Sequence, residues 1–379
     1  MVILFMALFV LGAIIAQNYI YERFWDKDLS LDFAFSSREA FEGDKLYLSE
    51  ELTNRKPLPL PWIFARFQVS RNLKFATEAN PDADNNYFQF DIFSIMMYQR
   101  IRRKHSFTCE KRGFYKIRRL DMLCSNLFHT KHFHKRLECT IGLTVFPRPI
   151  EDYNLQNIIF KNLDAMILSN SLINPDVFEF KGIREYLPTD SLRFVNFKAS
   201  AVSQQLMVNI HAPTTSKRLE ILLNLEPYAI RTNSELYEQS IRLAAAIAKH
   251  YIGEDVKVGL ITNGLDISTA QPITIQGGSS SGHLYKIYEA LARTAIPLIC
   301  PPFAHMLDKL DNTETVYAII SPNHDDDLLA AFSQLDSRGV HAHMTVPTLG
   351  VASLEQSPQI AVWDASVTSA SFIANGEVS

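Results

Sequence analysis

Residues 180–202 read FKGIREYLPTDSLRFVNFKASAV and gather Arg184, Glu185, Asp190, Arg193 and Lys198 among aromatic residues and Pro188. A guanidinium fork pairs with a carboxylate through two parallel hydrogen bonds, so Arg184 and Arg193 can clip Glu185 or Asp190. Tyr186, Phe194 and Phe197 can cover the arginine stems. Covalent catalysis needs a nucleophile with its base in reach, and the stretch holds no such set. It reads as a structural clip that also presents a docking edge. Thr189 or Asp190 is placed to cap a short helix over SLRFVNFKASA.

Other candidate chemistry is thinner. Gln276–His283, QGGSSSGH, precedes a helix and invites an anion-binding reading. No lysine follows the last glycine as a phosphate loop requires, so it is expected to be a flexible loop at the C-terminal edge of a sheet. His129, His132 and His134 sit in a basic strand–turn region and read as solvated surface, and Asp325–Asp327 read as a helix start. Cys109, Cys124, Cys139 and Cys300 have no CxxC spacing and read as reduced thiols. Between Arg100 and Arg136 the chain is strongly basic, with Glu110 and Asp121 the sole acids. Arg102, Arg103, Arg112, Arg118 and Arg119 are the residues expected to face anionic lipid headgroups. The base-stacking signature of nucleic-acid binding is weak, and no nucleic-acid partner is expected.

These residues need elements to carry them. The chain has 379 residues and a net charge of −4, with 47% apolar and 21% charged residues, room for two ordinary cores. The first 21 residues, MVILFMALFVLGAIIAQNYIY, carry no charged side chain, and about 20 residues at ~1.5 Å each span a bilayer core. Residues 1–25 are therefore expected to be an uncleaved transmembrane anchor. Arg23 and Lys27 follow it and no Lys or Arg precedes it, which places the body of the protein in the cytoplasm. Residues 29–148 alternate apolar and polar with turns at Glu42–Asp44 and Asn54–Pro57, the pattern of an antiparallel β-sandwich. Residues 150–217 connect and carry the opening stretch. Residues 218–347 alternate apolar strands with amphipathic helices, a doubly wound α/β domain. Residues 348–379 show little pattern and are expected to be a disordered tail.

The run Gly182-Ile183-Arg184-Glu185-Tyr186, Pro188, Asp190-Ser191, Arg193, Asn196-Phe197-Lys198, Ala201 resembles the signature of the family known as domain of unknown function 58. Thr189 stands where that family usually has Gly, and Phe197 where it usually has Trp. The order of anchor, β-rich domain with RGFY at Arg112–Tyr115, VFP at Val145–Pro147 and α/β domain follows the family over nearly the whole chain. Members commonly have two hydrophobic segments, and this chain has one. The resemblance implies a von Willebrand factor A-like α/β half and a MoxR-type AAA+ ATPase as partner. Metal-binding A domains carry D-x-S-x-S after their first strand, supplying hard oxygen ligands to Mg²⁺. Here that place reads Asn224-Leu225-Glu226-Pro227-Tyr228, so no metal and no other cofactor is expected. The function expected is a non-enzymatic membrane scaffold or adaptor in envelope-related assembly. A hydrolase or metal-dependent enzyme at the C-terminal edge of the α/β sheet, and a membrane-surface binding module, are the alternatives.

Overall fold

The computed structural model describes residues 2–75, 86–152, 156–173, 175–188, 190–213, 217–227, 234–297, 300–350 and 357–366. The chain divides into two compact units, Met1–Pro147 and Arg148–Ser379.

In the first unit the helix α1 (Val2–Phe24) is apolar, and its described side chains are mostly exposed until its last turn. There the helix meets the body: Tyr21 and Trp25 are buried, Trp25 stacks on Phe133 at 5.9 Å, and Tyr21 donates its hydroxyl to the Pro59 carbonyl at 2.7 Å. Nine strands follow among the described residues: β1 (Leu29–Phe35), β2 (Glu39–Phe41), β3 (Lys45–Asn54), β4 (Leu60–Ser70), β5 (Leu73–Phe75), β6 (Asn86–Ile95), β7 (Arg100–Cys109), β8 (Gly113–Ser125) and β9 (His132–Phe146). They form two sheets, β1-β3-β7-β5 and β2-β9-β8-β4-β6. Pairing is antiparallel except for β2 with β9. The inward residues of β4, Ile63, Ala65, Phe67 and Val69, alternate with more exposed ones, as one-sided burial of a strand requires. Phe33 meets Phe67 edge-on at 4.9 Å across the sandwich. Gly43 takes φ 85° in the β2–β3 turn, a left-handed conformation open to glycine at little cost.

The second unit opens with a π-helical turn, Gln156–Phe160, and α2 (Lys161–Ile173). An antiparallel pair, β10 (Pro175–Glu185) and β11 (Met207–Pro213), follows. Between these strands lie a 3₁₀ turn, Leu192–Phe194, and α3 (Phe197–Ser203). Then come β12 (Arg218–Leu223), α4 (Ser234–Gly253), β13 (Lys257–Asp266), β14 (Pro272–Gly278), α5 (Ser281–Arg293), β15 (Thr294–Ala295), α6 (Ala304–Leu307), β16 (Val316–Ile320), α7 (Asp326–Ser337), β17 (Ala342–Thr348) and β18 (Ile360–Asp364). The sheet runs β14-β13-β12-β16-β17-β18, with β15 on β13. Strands β12, β13, β16, β17 and β18 are parallel, and β14 and β15 are antiparallel to β13. Counted from β12, the order is 3-2-1-4-5-6 with its third strand antiparallel, and the order reverses at a switch point between β12 and β16. Strand β12 is apolar because both faces are covered: Leu219, Ile221, Leu222 and Leu223 are fully buried.

Two expectations are corrected. The region after residue 347 is not wholly a tail, since β18 extends the sheet beside β17 and buries Ala361 and Trp363. Its five residues are too short and too interrupted by flanking Ser and Gln to stand out by periodicity. The glycine–serine loop is at the other end of the sheet from the one expected. Strand β14 runs antiparallel and Gly278 pairs with Val258, so the loop adjoins the start of β13. Ser280 caps α5 by accepting from the His283 amide at 3.2 Å, and the His283 ring bonds the Val258 carbonyl at 2.7 Å.

Candidate functional site

The clip forms with a different division of labour from the one expected. Arg184, on β10, gives Asp190 a two-pronged fork, Nη1 to Oδ2 and Nη2 to Oδ1, both at 2.6 Å. Asp190 Oδ2 also accepts from the Leu187 amide at 2.8 Å, which closes the turn around Pro188. The hydrogen bond from Arg184, then that amide, holds the Asp190 carboxyl below its usual range, and the same bond raises the Arg184 pKa. Asp190 therefore does not cap a helix. Asn196 does, its Oδ1 accepting from the Ala199 amide at 2.9 Å at the start of α3. Asn196 Nδ2 donates to Asn209 Oδ1 at 2.8 Å, tying α3 to β11. Arg193 lies over the Phe194 ring at 4.4 Å instead of pairing with Asp190. Tyr186 bonds through its amide to the Leu206 carbonyl at 2.8 Å, while Glu185, Pro188 and Lys198 are exposed. Thr189 lies outside the described residues.

The clip is a surface device. The Arg184 side chain is 41% exposed. Around it, apolar side chains face outward: Leu192 is 70% exposed, Phe197 78% and Val202 84%, and Ile183, Leu187 and Leu206 are also exposed. One short element that exposes so much apolar surface on a rigid polar frame has the character of a binding surface.

Where the strand order reverses, the segment after β12 is held by side-chain amides. Asn224, fully buried, donates to Ser321 Oγ at 2.9 Å, and its Oδ1 accepts from Asn263 Nδ2 and from the Glu226 amide, each at 2.9 Å. Asn263 returns a bond by accepting from the Leu225 amide at 2.7 Å. Glu226, the one carboxylate of the loop, accepts from the Phe303 amide at 2.9 Å. The strand ends of β12, β13 and β16 are thus cross-braced by the neutral side chains of Asn224, Asn263 and Ser321. Tyr228 lies outside the described residues.

The basic region is largely neutralised by partners remote in sequence. Arg102 donates to Glu51 at 2.9 Å, and Arg103 pairs with Asp91 at 3.2 Å over the Phe93 ring. Lys131 and Lys135 pair with Glu22 and Asp26 at the foot of α1, at 2.6 and 3.0 Å. Arg112 is buried, its amide donating to Glu42 at 2.9 Å, so it does not face lipid. The side chains of Arg118 and Arg119 lie outside the described residues. His132 bonds Ser125 at 2.8 Å and His134 lies 3.3 Å from Asp121, while the His129 ring stands edge-on to that of His132. The four cysteines are free thiols, and burial pushes Cys109 and Cys124 up to about 12.

One cluster has no counterpart in the sequence reading. Glu50 on β3, Asp91 on β6 and His105 on β7 bring one ligand atom each to within 4.8 Å of one another. Burial raises the Glu50 pKa, and the hydrogen bond that His105 makes to Glu50 raises that of His105. The three lie about 55 residues apart at the extremes, and only the strand pairing assembles them, so no spacing signal exists.

The fold and these sites define a chain with an apolar N-terminal helix, a β-sandwich and a mixed, mostly parallel α/β sheet. No family profile and no curated protein matches it. Among solved structures it is similar to AvmM, which catalyzes macrocyclization in alchivemycin A biosynthesis (9% identity, TM-score 0.24, 34% of this chain and 93% of that one). It is similar also to the CARDB domain of a Pyrococcus furiosus protein in complex with di-metal ions (10%, 0.21, 31% and 90%). A third likeness is to a cohesin module from a Clostridium perfringens family 33 glycoside hydrolase (6%, 0.23, 32% and 99%).

Proposed function

We propose that this chain is a membrane-anchored, non-enzymatic adaptor whose Arg184–Asp190 element docks a protein partner. The observation that carries the reading is the exposure of Leu192, Phe197 and Val202 on a frame fixed by the bidentate fork and the Asn196 cap. Apolar residues at such exposure lose free energy in water that a partner's surface would return. The resemblance to domain of unknown function 58 supplies the partner class, a MoxR-type AAA+ ATPase, and envelope-related assembly as the setting. The same resemblance makes the α/β half von Willebrand A-like. The enzyme alternative is disfavoured because the polar groups at the C-terminal edge of the sheet are engaged with one another.

Anchoring is supported from the sandwich. Lys56 Nζ reaches the Trp25 and Lys27 carbonyls at 2.5 and 2.6 Å, satisfying groups at the end of α1. Asn126 bonds Asn18 at 2.6 Å, and the turn it begins exposes Leu127 and Phe128. The neighbouring β6–β7 turn exposes Met96, Met97 and Tyr98. A helix gripped this way suits a retained anchor better than a cleaved leader, with apolar turn tips at the headgroup level. The positive flank, Arg23 and Lys27, favours a cytoplasmic body. Attraction to anionic headgroups would fall mainly to the exposed Lys104, Lys111 and Lys116.

The test is co-purification. Full-length protein is isolated from membranes in mild detergent as wild type and as Leu192→Ser/Phe197→Ser. The adaptor reading expects an AAA+ ATPase with the first and its loss from the second at unchanged thermal midpoint. An ATPase retained equally by both would overturn the assignment of this surface.

A further inference from the structure

We propose that Glu50, Asp91 and His105 form a binding site for one divalent transition-metal ion of the zinc type, stapling the two sheets of the β-sandwich. Glu50 and His105 come from β3 and β7 of one sheet and Asp91 from β6 of the other. His105 Nε2 is 3.3 Å from Glu50 Oε2 and 3.2 Å from Asp91 Oδ2. Two ligands held at about 2.0–2.1 Å from a tetrahedral zinc stand ~3.3 Å apart, so both separations fit edges of that coordination shell.

The electrostatics call for a cation. The Glu50 side chain is 0% exposed and that of Asp91 10% exposed, yet Glu50 Oε1 and Asp91 Oδ2 accept no hydrogen bond. Arg103 satisfies the other Asp91 oxygen at 3.2 Å. Two buried carboxylates that face one another need a shared proton or a cation between them, and one imidazole N–H cannot bond both along its axis. A metal ion bonded to Nε2 and to one oxygen of each carboxylate answers both needs. Mg²⁺ and Ca²⁺ are the wrong class, since they require about six or more oxygen ligands. Two carboxylates and an imidazole, with one coordination position left for water, are a zinc-type donor set. His105 has 12% of its side chain exposed, which leaves a path for entry.

The full-length protein in detergent is stripped with chelator and titrated with Zn²⁺, with Co²⁺ as the spectroscopic probe. Expected are one ion per chain, a tetrahedral Co²⁺ visible spectrum, and a thermal midpoint raised by Zn²⁺ but not by Mg²⁺. Glu50→Gln and Asp91→Asn should each weaken binding at least tenfold, and His129→Ala/His132→Ala/His134→Ala should leave it unchanged. Binding that survives Glu50→Gln, or that disappears with the histidine triple variant, overturns the proposal, as does no binding at all. If neither carboxylate variant folds, X-ray absorption at the zinc edge of the wild-type protein decides. One imidazole with oxygen ligands supports the site, and sulfur or several imidazoles refute it.

Discussion

Replacing Asn224 with leucine should destabilise the α/β unit by an amount the structure bounds. Three hydrogen bonds disappear, to Ser321 and from Asn263 and the Glu226 amide. Each buried polar group left without a partner costs about 1–3 kcal/mol. The three are unequal. Ser321 still donates to the Asn323 carbonyl at 2.6 Å, so it loses one acceptor role only. Glu226 is half-buried, and its amide can recruit water. Asn263 Nδ2 keeps only a 3.8 Å contact to Cys300 Sγ and carries most of the penalty. The net loss comes to ~2–4 kcal/mol after the apolar side chain recovers part of it. In a unit of this size each kcal/mol lowers the midpoint by ~2–4 °C, so calorimetry of the full-length protein should show a fall of ~5–15 °C. A fall below about 2 °C would refute the claim that these amides brace the switch point. Adding Mg²⁺ to the wild type should change nothing, whereas a metal ion at about 100 times its Kd would add ~2.7 kcal/mol.

Three further outcomes follow from particular side chains. Burial lowers the His343 pKa from 6.5 to about 4, so below about pH 6.5 the unfolded chain takes up a proton that the folded chain refuses. Stability should therefore fall by ~3 kcal/mol as pH drops from 6.5 to 4 and level off below, and His343→Gln should flatten that slope in pH-dependent denaturant melts. Arg184→Ala should leave the midpoint close to the wild-type value because the pair is solvent-screened, while weakening partner capture. The small contribution Asp190 makes is present above about pH 4 and is lost as pH falls through its lowered pKa. Lys56→Met should free the end of α1, seen as faster amide exchange at residues 25–28 with the sandwich core unchanged.

The apolar N-terminal helix, the β-sandwich and the alternating α/β unit were legible because each writes a different period into the sequence: an uninterrupted apolar run, alternation by two, and apolar strands between amphipathic helices. The clip was legible as a charge pair with Asp190 among the candidate partners, but the choice among those partners was not. Asp190 was a candidate cap until the Leu187 amide and the Arg184 fork claimed it, and Asn196, three residues before Ala199, carried the cap instead. Charge counted along a window misled in the basic region, because Glu51 and Asp91 neutralise Arg102 and Arg103 across strands far apart in sequence. Strand β18 and the Glu50–Asp91–His105 cluster exist only through long-range pairing, which no local pattern encodes.

The docking claim is tested most directly at Phe197, a residue 78% exposed on the clip. A photo-crosslinking amino acid at that position, activated in intact membranes, places the question on one residue. The account predicts a single dominant adduct with a MoxR-type AAA+ ATPase, absent when the crosslinker sits at buried Val208. Adducts with lipid alone, or none at Phe197, would contradict it.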